Sequence, residues 1–134
     1  MADVERGNRL VTVVIEVADL DRSAQLYRDG FGVDLHLADH GGAGHGEDDR
    51  WVSGRHAATS WKERSFLHFA LYQSKGAPTS GAQLSFGVDD IAAAHRVAID
   101  AGAVVVHEPR REPWGTSARY RDYDGNVVEL TQPG

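Results

Sequence analysis

Short β-branched runs and apolar stripes at helical spacing alternate along this chain. Leu10–Val17 is rich in valine and isoleucine, and Val33–Ala38 alternates apolar and polar positions, so both segments are predicted to be strands. Between them, Leu20–Tyr27 carries apolar residues at the spacing of one helix face. Asp19 precedes this segment as the expected N-cap, and Gly30 is expected to help end the helix.

Two more strands are predicted to complete the first half of the chain. His56–Trp61 and Ser65–Tyr72 have the pattern of a hairpin around a short polar turn. Before them, Asp39–Gly54 contains five glycines and an acidic run, and is predicted to be a long mobile loop. Gln73–Ser80 contains glycine, proline and serine and is interpreted as a linker.

The same order of elements returns after this linker. Ala82–Val88 is predicted to be a strand, and the apolar stripe of Ile91–Ala98 follows the possible N-caps Asp89 and Asp90. The remaining segments are the strands Ala103–His107, Gly115–Arg121 and Val127–Thr131, a proline-bearing loop at Glu108–Trp114, and a turn at Asp122–Asn126. Strand, helix and three strands therefore occur twice.

This repeat predicts an α+β fold in a single domain over residues 1–134, made of two βαβββ modules. The first module spans about residues 9–74 and the second about residues 80–132. Each module has one helix to cover one face of its four strands, so the other face must meet something else. We expect the two curved, mixed sheets to enclose a groove.

Composition narrows the possible partners and the compartment. The net charge is −6 and the 14 lysines and arginines are scattered, which makes nucleic acid an unexpected partner. There are no cysteines, in keeping with a reducing cytoplasm. The apolar runs are too short to span a bilayer, and residues 1–8 lack the apolar core of a signal peptide. We therefore expect a cytoplasmic protein.

Two motifs resemble a known superfamily. Val17-Ala18-Asp19-Leu20, with Ser23 and Tyr27, and the final run Asp122-Tyr123-Asp124-Gly125-Asn126-Val127-Val128-Glu129-Leu130 are similar to the vicinal oxygen chelate superfamily. That superfamily contains glyoxalases, bleomycin resistance proteins and extradiol dioxygenases, so the resemblance implies a fold without deciding between catalysis and drug binding. It also implies a homodimer whose grooves draw on strands from both chains.

Strand alternation assigns side chains to the two faces of each sheet. The set expected to pack under the helices includes Val11, Val13, Ile15, Val17, Leu67, Phe69, Leu71, Leu84 and Phe86. The set expected to line the ligand groove is Thr12, Glu16, His68, Tyr72, Gln83, Ser85 and Glu129, together with Trp51 and Trp114 from the loops. Trp61 is interpreted as packing. For Trp51 and Trp114, gripping a planar ligand and covering the sheet ends or the dimer interface remain equal alternatives.

The resemblance also implies four positions at which the metal enzymes of this superfamily carry ligands. They are Thr12, Ala70, Gln83 and Glu129, of which only Glu129 is a conventional ligand; Gln83 is a weak one, and His68 lies two residues from Ala70. Transition metals require three or four converging imidazole or carboxylate groups. We therefore expect no cofactor. A divalent metal bound by Glu129 with His68 and Gln83 remains the alternative.

His68 and Glu129 have other possible roles. They could form a catalytic acid–base pair, because a histidine beside a carboxylate holds a proton near neutral pH. Alternatively, His68 only makes hydrogen bonds and Glu129 pairs with Arg119 or Arg121 on the neighbouring strand. The histidines of the glycine-rich loop region, His40, His45 and His56, match no ligand spacing and are expected to be solvated.

Three hypotheses follow for the function. The first is a metal-free homodimer that sequesters a small, partly aromatic molecule. The second is a glyoxalase-like lyase or isomerase, or a dioxygenase, that uses a divalent metal at Glu129. The third is a structural or partner-binding dimer whose groove is filled by its own side chains. The missing ligands at Thr12 and Ala70 favour the first.

Overall fold

The computed structural model describes residues 10–39, 55–59 and 67–134. The first module contains β1 (Thr12–Val17), α1 (Leu20–Gln25), a π-helical turn (Leu26–Gly30), β2 (His36–Asp39), β3 (Arg55–Ala58) and β4 (His68–Gln73). The second contains β5 (Gln83–Gly87), α2 (Ile91–Asp100), β6 (Val104–Glu112), β7 (Gly115–Arg121) and β8 (Val127–Pro133). The predicted repeat of strand, helix and three strands is confirmed.

Each module forms a four-stranded mixed sheet with the same strand order. Sheet A has the order β1-β4-β3-β2 and sheet B the order β5-β8-β7-β6. In both sheets the first strand pairs in parallel with the last, and the other neighbours are antiparallel. This is the α+β fold expected from the pattern of apolar positions, with β1 and β5 at equivalent edges.

Both helices begin at the aspartates predicted to cap them. The side chain of Asp19 accepts a hydrogen bond from the backbone N–H of Arg22, and that of Asp90 accepts one from Ala93. Each cap satisfies a backbone donor that the first helical turn leaves unpaired. The last turn of the first helix is π-helical rather than α-helical.

The two modules share one core on their helix sides. Phe69 of β4 lies 5.8 Å, centroid to centroid, from Phe86 of β5, and the ring of Tyr27 contacts both. The π-helical turn also meets α2 closely, because a Cβ on Gly30 would lie 3.0 Å from the Cβ of Ala101. The faces predicted to line a groove therefore point away from this shared core, one on each sheet.

A buried hydrogen-bond network also connects the modules. Asp122, in the turn between β7 and β8, accepts bonds from the phenol of Tyr27 and from the backbone and side-chain N–H groups of Asn126. Asn126 in turn donates to the carbonyl of Thr79 and accepts from the backbone N–H of Ala82. The Asp-Tyr-Asp-Gly-Asn run is thus a structural junction.

One loop predicted from the sequence is mostly strand in the structure. The segment Glu108–Trp114 is not a loop throughout, because β6 continues to Glu112. Pro109 has no backbone N–H to donate to a neighbouring strand. It is tolerated there because β6 is an edge strand and its register shifts between His107 and Arg110, so no hydrogen bond between the strands is needed at this position.

Two residues next to strand ends were expected in the core but are exposed. Val11 is 58% exposed and Leu67 is 44% exposed, although both were expected in the core. Each lies just outside its strand, so alternation no longer directs its side chain inward. In the described part of the chain, no helix is both long and apolar enough to cross a membrane.

Candidate functional site

A row of polar residues crosses the outer face of sheet B, the face turned away from the core. Ser85, Glu129, Arg119 and His107 are opposite one another on β5, β8, β7 and β6. Ser85 and Glu129 were predicted groove residues. Arg119 and His107 were not in that set, although Arg119 was considered as a partner of Glu129.

Glu129 is held by its two neighbours in this row. The hydroxyl of Ser85 donates to Oε1 at 2.9 Å, and Nε of Arg119 donates to Oε2 at 3.1 Å. The residue is only 7% exposed. Each carboxylate oxygen therefore accepts one hydrogen bond, and the two bonds orient Glu129 within the row. Of the two alternatives for an ion pair, the structure selects Arg119.

The outer face of sheet A carries the other predicted groove residues. Thr12 lies opposite His68, and Glu16 lies opposite Tyr72, which in turn lies opposite His56. The rings of His56 and Tyr72 are stacked, with centroids 4.8 Å apart and an angle of 4° between planes. His56 is buried, so the prediction that it is solvated is wrong.

His68 is buried on this face and electrostatically coupled to His56. Burial, and then the charge of His56, hold the pKa of His68 below its ordinary value, while a hydrogen bond with the backbone at Thr59 acts in the opposite direction. The neutral imidazole is therefore favoured. His68 and Glu129 lie on different sheets, and the hydrogen bonds of Glu129 go to Ser85 and Arg119.

A cavity of about 600 Å³ opens beside the edge of β5. Its apolar wall includes Leu10, Val13, Leu67, Phe69, Leu84 and Phe86. Its polar lining residues are Asp34, Thr59, Gln83 and Ser85. A volume of this size, mostly apolar with a few polar groups, is typical of small-molecule sites.

Of the predicted groove residues that the structure describes, Gln83 and Ser85 line this cavity. Val13, Phe69 and Phe86 also line it, although alternation assigned them only to packing. The sequence carries no signal for this second role, because it depends on how the two sheets are placed relative to each other.

The remaining predicted site residues lie elsewhere. Trp114 is 51% exposed in the turn between β6 and β7 and does not line the cavity. Trp51, Trp61, His40 and His45 fall outside the described residues, as does nearly all of the predicted loop 39–54. Their proposed roles stay predictions.

The residues at the four expected ligand positions do not fit a transition metal. Thr12 and Ala70 offer no conventional ligand, and the carboxylate of Glu129 is bound by Ser85 and Arg119. Within residues 10–39, 55–59 and 67–134, no three histidine, aspartate or glutamate side chains are grouped closely enough to hold an ion.

Comparison with known proteins identifies the family. The family model of the Glyoxalase/Bleomycin resistance protein/Dioxygenase superfamily matches residues 9–130. The chain belongs to this superfamily. It is 26% identical over 121 residues to the uncharacterized protein YetH of Bacillus subtilis (strain 168), an alignment that covers 90% of this chain and 95% of YetH.

Solved structures support the same fold. TnmS3, an antibiotic binding protein from Streptomyces sp. CB03234, is 26% identical with a TM-score of 0.70, covering 98% of this chain and all of TnmS3 (100%). A glyoxalase/bleomycin resistance protein from the same organism is 27% identical with a TM-score of 0.65, covering 92% of this chain and 100% of the other. TioX from Micromonospora sp. ML1 is 19% identical with a TM-score of 0.65, covering 95% of this chain and 100% of TioX, and supports the fold alone.

Proposed function

We propose that this chain is a cytoplasmic homodimer that binds and sequesters a small, partly aromatic molecule without a metal ion. The observation that carries this proposal is the cavity of about 600 Å³ with its largely apolar wall. Sequestration requires only affinity, and burying flat apolar surface against Phe69, Phe86 and Leu84 supplies it.

The ligand lies where the cavity meets the outer face of sheet B. Gln83 and Ser85 border both regions, because β5 is an edge strand and its polar side chains alternate with cavity-lining apolar ones. They offer hydrogen bonds that orient a ligand, while the aromatic wall offers contact area. The resemblance to TnmS3 supports the same class of ligand, since that protein binds an antibiotic.

The engaged state of Glu129 argues against the enzyme hypothesis. A divalent ion on Glu129 would lie close to the guanidinium of Arg119, which donates to the same carboxylate, and like charges repel. In the described part of the chain, no group of three histidine, aspartate or glutamate side chains supplies further ligands. Binding without chemistry requires neither.

The exposed edges of β1 and β5 support a dimer. Within the described residues each of these strands pairs on one side only, and Leu10, Val11 and Val14 along β1 are exposed. Exposed apolar edges are normally covered. A second copy that lays its β5 beside β1, and its β1 beside β5, covers both by one twofold contact. In this arrangement sheet A of one protomer lies beside sheet B of its partner, while each protomer forms the cavity from its own two sheets.

Light scattering after gel filtration tests the dimer. We expect Val14→Glu to weaken it, because a charge would enter the proposed contact. Val97→Glu serves as the control, since Val97 is similarly exposed but lies on α2. A wild-type protein that is monomeric at micromolar concentration would contradict the proposed assembly.

Calorimetric titration with a panel of two- and three-ring aromatic compounds tests the binding function. We expect micromolar binding to the wild type and at least a tenfold loss for Leu84→Trp, which fills the cavity. Val97→Trp, which adds the same ring away from the cavity, should bind as the wild type does. Failure of every compound to bind, or unchanged binding by Leu84→Trp, would overturn the proposal.

A further inference from the structure

Arg119 uses one of its three side-chain nitrogens for its hydrogen bond with Glu129. The guanidinium donates to Glu129 through Nε only, and the side chain remains 38% exposed. An arginine can donate two parallel bonds from its terminal nitrogens to a carboxylate, a geometry that lysine cannot supply. Because the bond to Glu129 uses Nε, the two terminal nitrogens make no hydrogen bond with that carboxylate.

The anchoring of Arg119 distinguishes it from its neighbours. Arg110 is paired with Glu112, whose side chain is 24% exposed, and is itself 59% exposed. Arg121 lies on the same strand and face, but the residues opposite it are Val127 and Val104, which have no acceptor side chain. Among these three arginines, only Arg119 is held by a buried carboxylate that is itself positioned by a second residue, Ser85.

The row Ser85–Glu129–Arg119 leads from the cavity onto the outer face of sheet B. Ser85 lines the cavity, and Arg119 is two strands away in register, roughly 10 Å from it at the usual strand spacing.

We infer that Arg119 is a specificity-determining residue, and that the ligand is an aromatic molecule bearing a carboxylate. This rests on the proposed binding function and adds the chemical class of the ligand. The aromatic part lies against the cavity wall, and the carboxylate accepts two hydrogen bonds from the terminal nitrogens of Arg119. Glu129 and Ser85 are positioning residues that hold the guanidinium of Arg119 in place.

A matched pair of probes tests the inference by isothermal titration calorimetry. Naphthalene-2-carboxylate and naphthalene-2-carboxamide have nearly the same shape, and only the first is an anion at pH 7.5. We expect the wild type to bind the carboxylate about tenfold more tightly, the size of effect that one bidentate charged pair provides. Arg119→Gln should abolish this preference and leave carboxamide affinity within about threefold. Arg121→Gln is the control and should retain the preference.

The outcomes separate the inference from the proposed function. Equal binding of the two probes by the wild type, or a preference that survives Arg119→Gln, would overturn the role of Arg119 while leaving a binding protein. Binding of neither probe by the wild type would overturn the inference, and the proposed function would fall with it only if the whole aromatic panel also failed to bind.

A second variant guards against loss of folding. Arg119→Gln leaves the buried Glu129 without its cation, which lowers stability. The double variant Arg119→Gln/Glu129→Gln removes both charges and should restore the wild-type melting temperature without restoring the carboxylate preference. If Arg119 served only to neutralise Glu129, the double variant would bind both probes with the wild-type preference.

Discussion

The phenol of Tyr27 donates a 2.7 Å hydrogen bond to Oδ2 of Asp122 inside the protein. Tyr27 belongs to the π-helical turn of the first module, and Asp122 to the β7–β8 turn of the second. Burial, followed by the charge and the hydrogen bond of Asp122, raises the pKa of Tyr27, so the phenol remains a donor. The bond fixes the helix-side packing of the two modules.

Removing this donor should destabilise the whole domain. We expect Tyr27→Phe to lower the free energy of unfolding by about 1.5–3 kcal/mol, because a buried carboxylate loses one of its donors. Urea denaturation followed by fluorescence measures the change. Tyr123→Phe is the matched control, because Tyr123 is partly exposed and should change stability by less than about 0.5 kcal/mol. Equal effects of the two variants on the free energy of unfolding would show that the Tyr27–Asp122 hydrogen bond does not stabilise the domain.

Stability should fall as the solution is acidified, in part through His68. The pKa of His68 is lowered in the folded protein, so the native state favours the neutral ring. Its contribution is fully present above the ordinary histidine pKa of about 6.5 and is lost as pH falls from there through the folded pKa. Denaturation series from pH 8 to pH 5 should show a shallower decline for His68→Gln.

The matched control for this pH series is His36→Gln, since the side chain of His36 is 63% exposed. That variant should follow the wild-type profile. Parallel profiles for the wild type and His68→Gln would show that His68 does not contribute to the pH dependence of stability.

Gly115 should be intolerant of any side chain. Its φ of 152° lies where L side chains are rarely found, and an added Cβ would collide with the carbonyl oxygen of Gln132 on β8. We expect Gly115→Ala to cost about 2 kcal/mol or more. Gly76→Ala is the control, since its Cβ would meet nothing within 4 Å. Thermal melts of the two variants compare them directly, and similar melting temperatures would disprove the strain.

Divalent metals should not bind stoichiometrically. Because no three potential ligand side chains are grouped in the described part of the chain, we expect nickel, zinc and manganese titrations to shift the melting temperature by less than about 1 °C. Metal analysis of protein purified without chelators provides an independent measure. A stoichiometric ion, or a large shift that Glu129→Gln abolishes, would place the enzyme hypothesis ahead of sequestration.

Much of the fold could be predicted because it follows from local rules. Asp19 was expected as a cap from its place before an apolar stripe, Asp90 was one of two candidate caps together with Asp89, and β7 was predicted residue for residue. The extension of β6 through Pro109 could not be predicted, because proline normally ends a strand and the compensating register shift depends on pairing with β7.

Such local rules predicted less of the candidate site. Alternation placed Ser85, Gln83 and Glu129 on one face correctly, since the period of two is a property of the strand itself. It could not choose between Arg119 and Arg121 as the partner of Glu129, because that choice depends on the length of the β7–β8 turn. It also gave Phe69 and Phe86 a packing role only.

The sequence by itself determined the two βαβββ modules, the face of residues well inside the strands, and the family, because apolar periodicity and capping are encoded within a few residues. Only the tertiary structure decided that the helix sides of the two sheets pack together, that a cavity opens beside β5, and that Arg119 holds Glu129. Those features depend on contacts between residues far apart in the chain, such as Phe69 with Phe86, whose geometry no local pattern specifies.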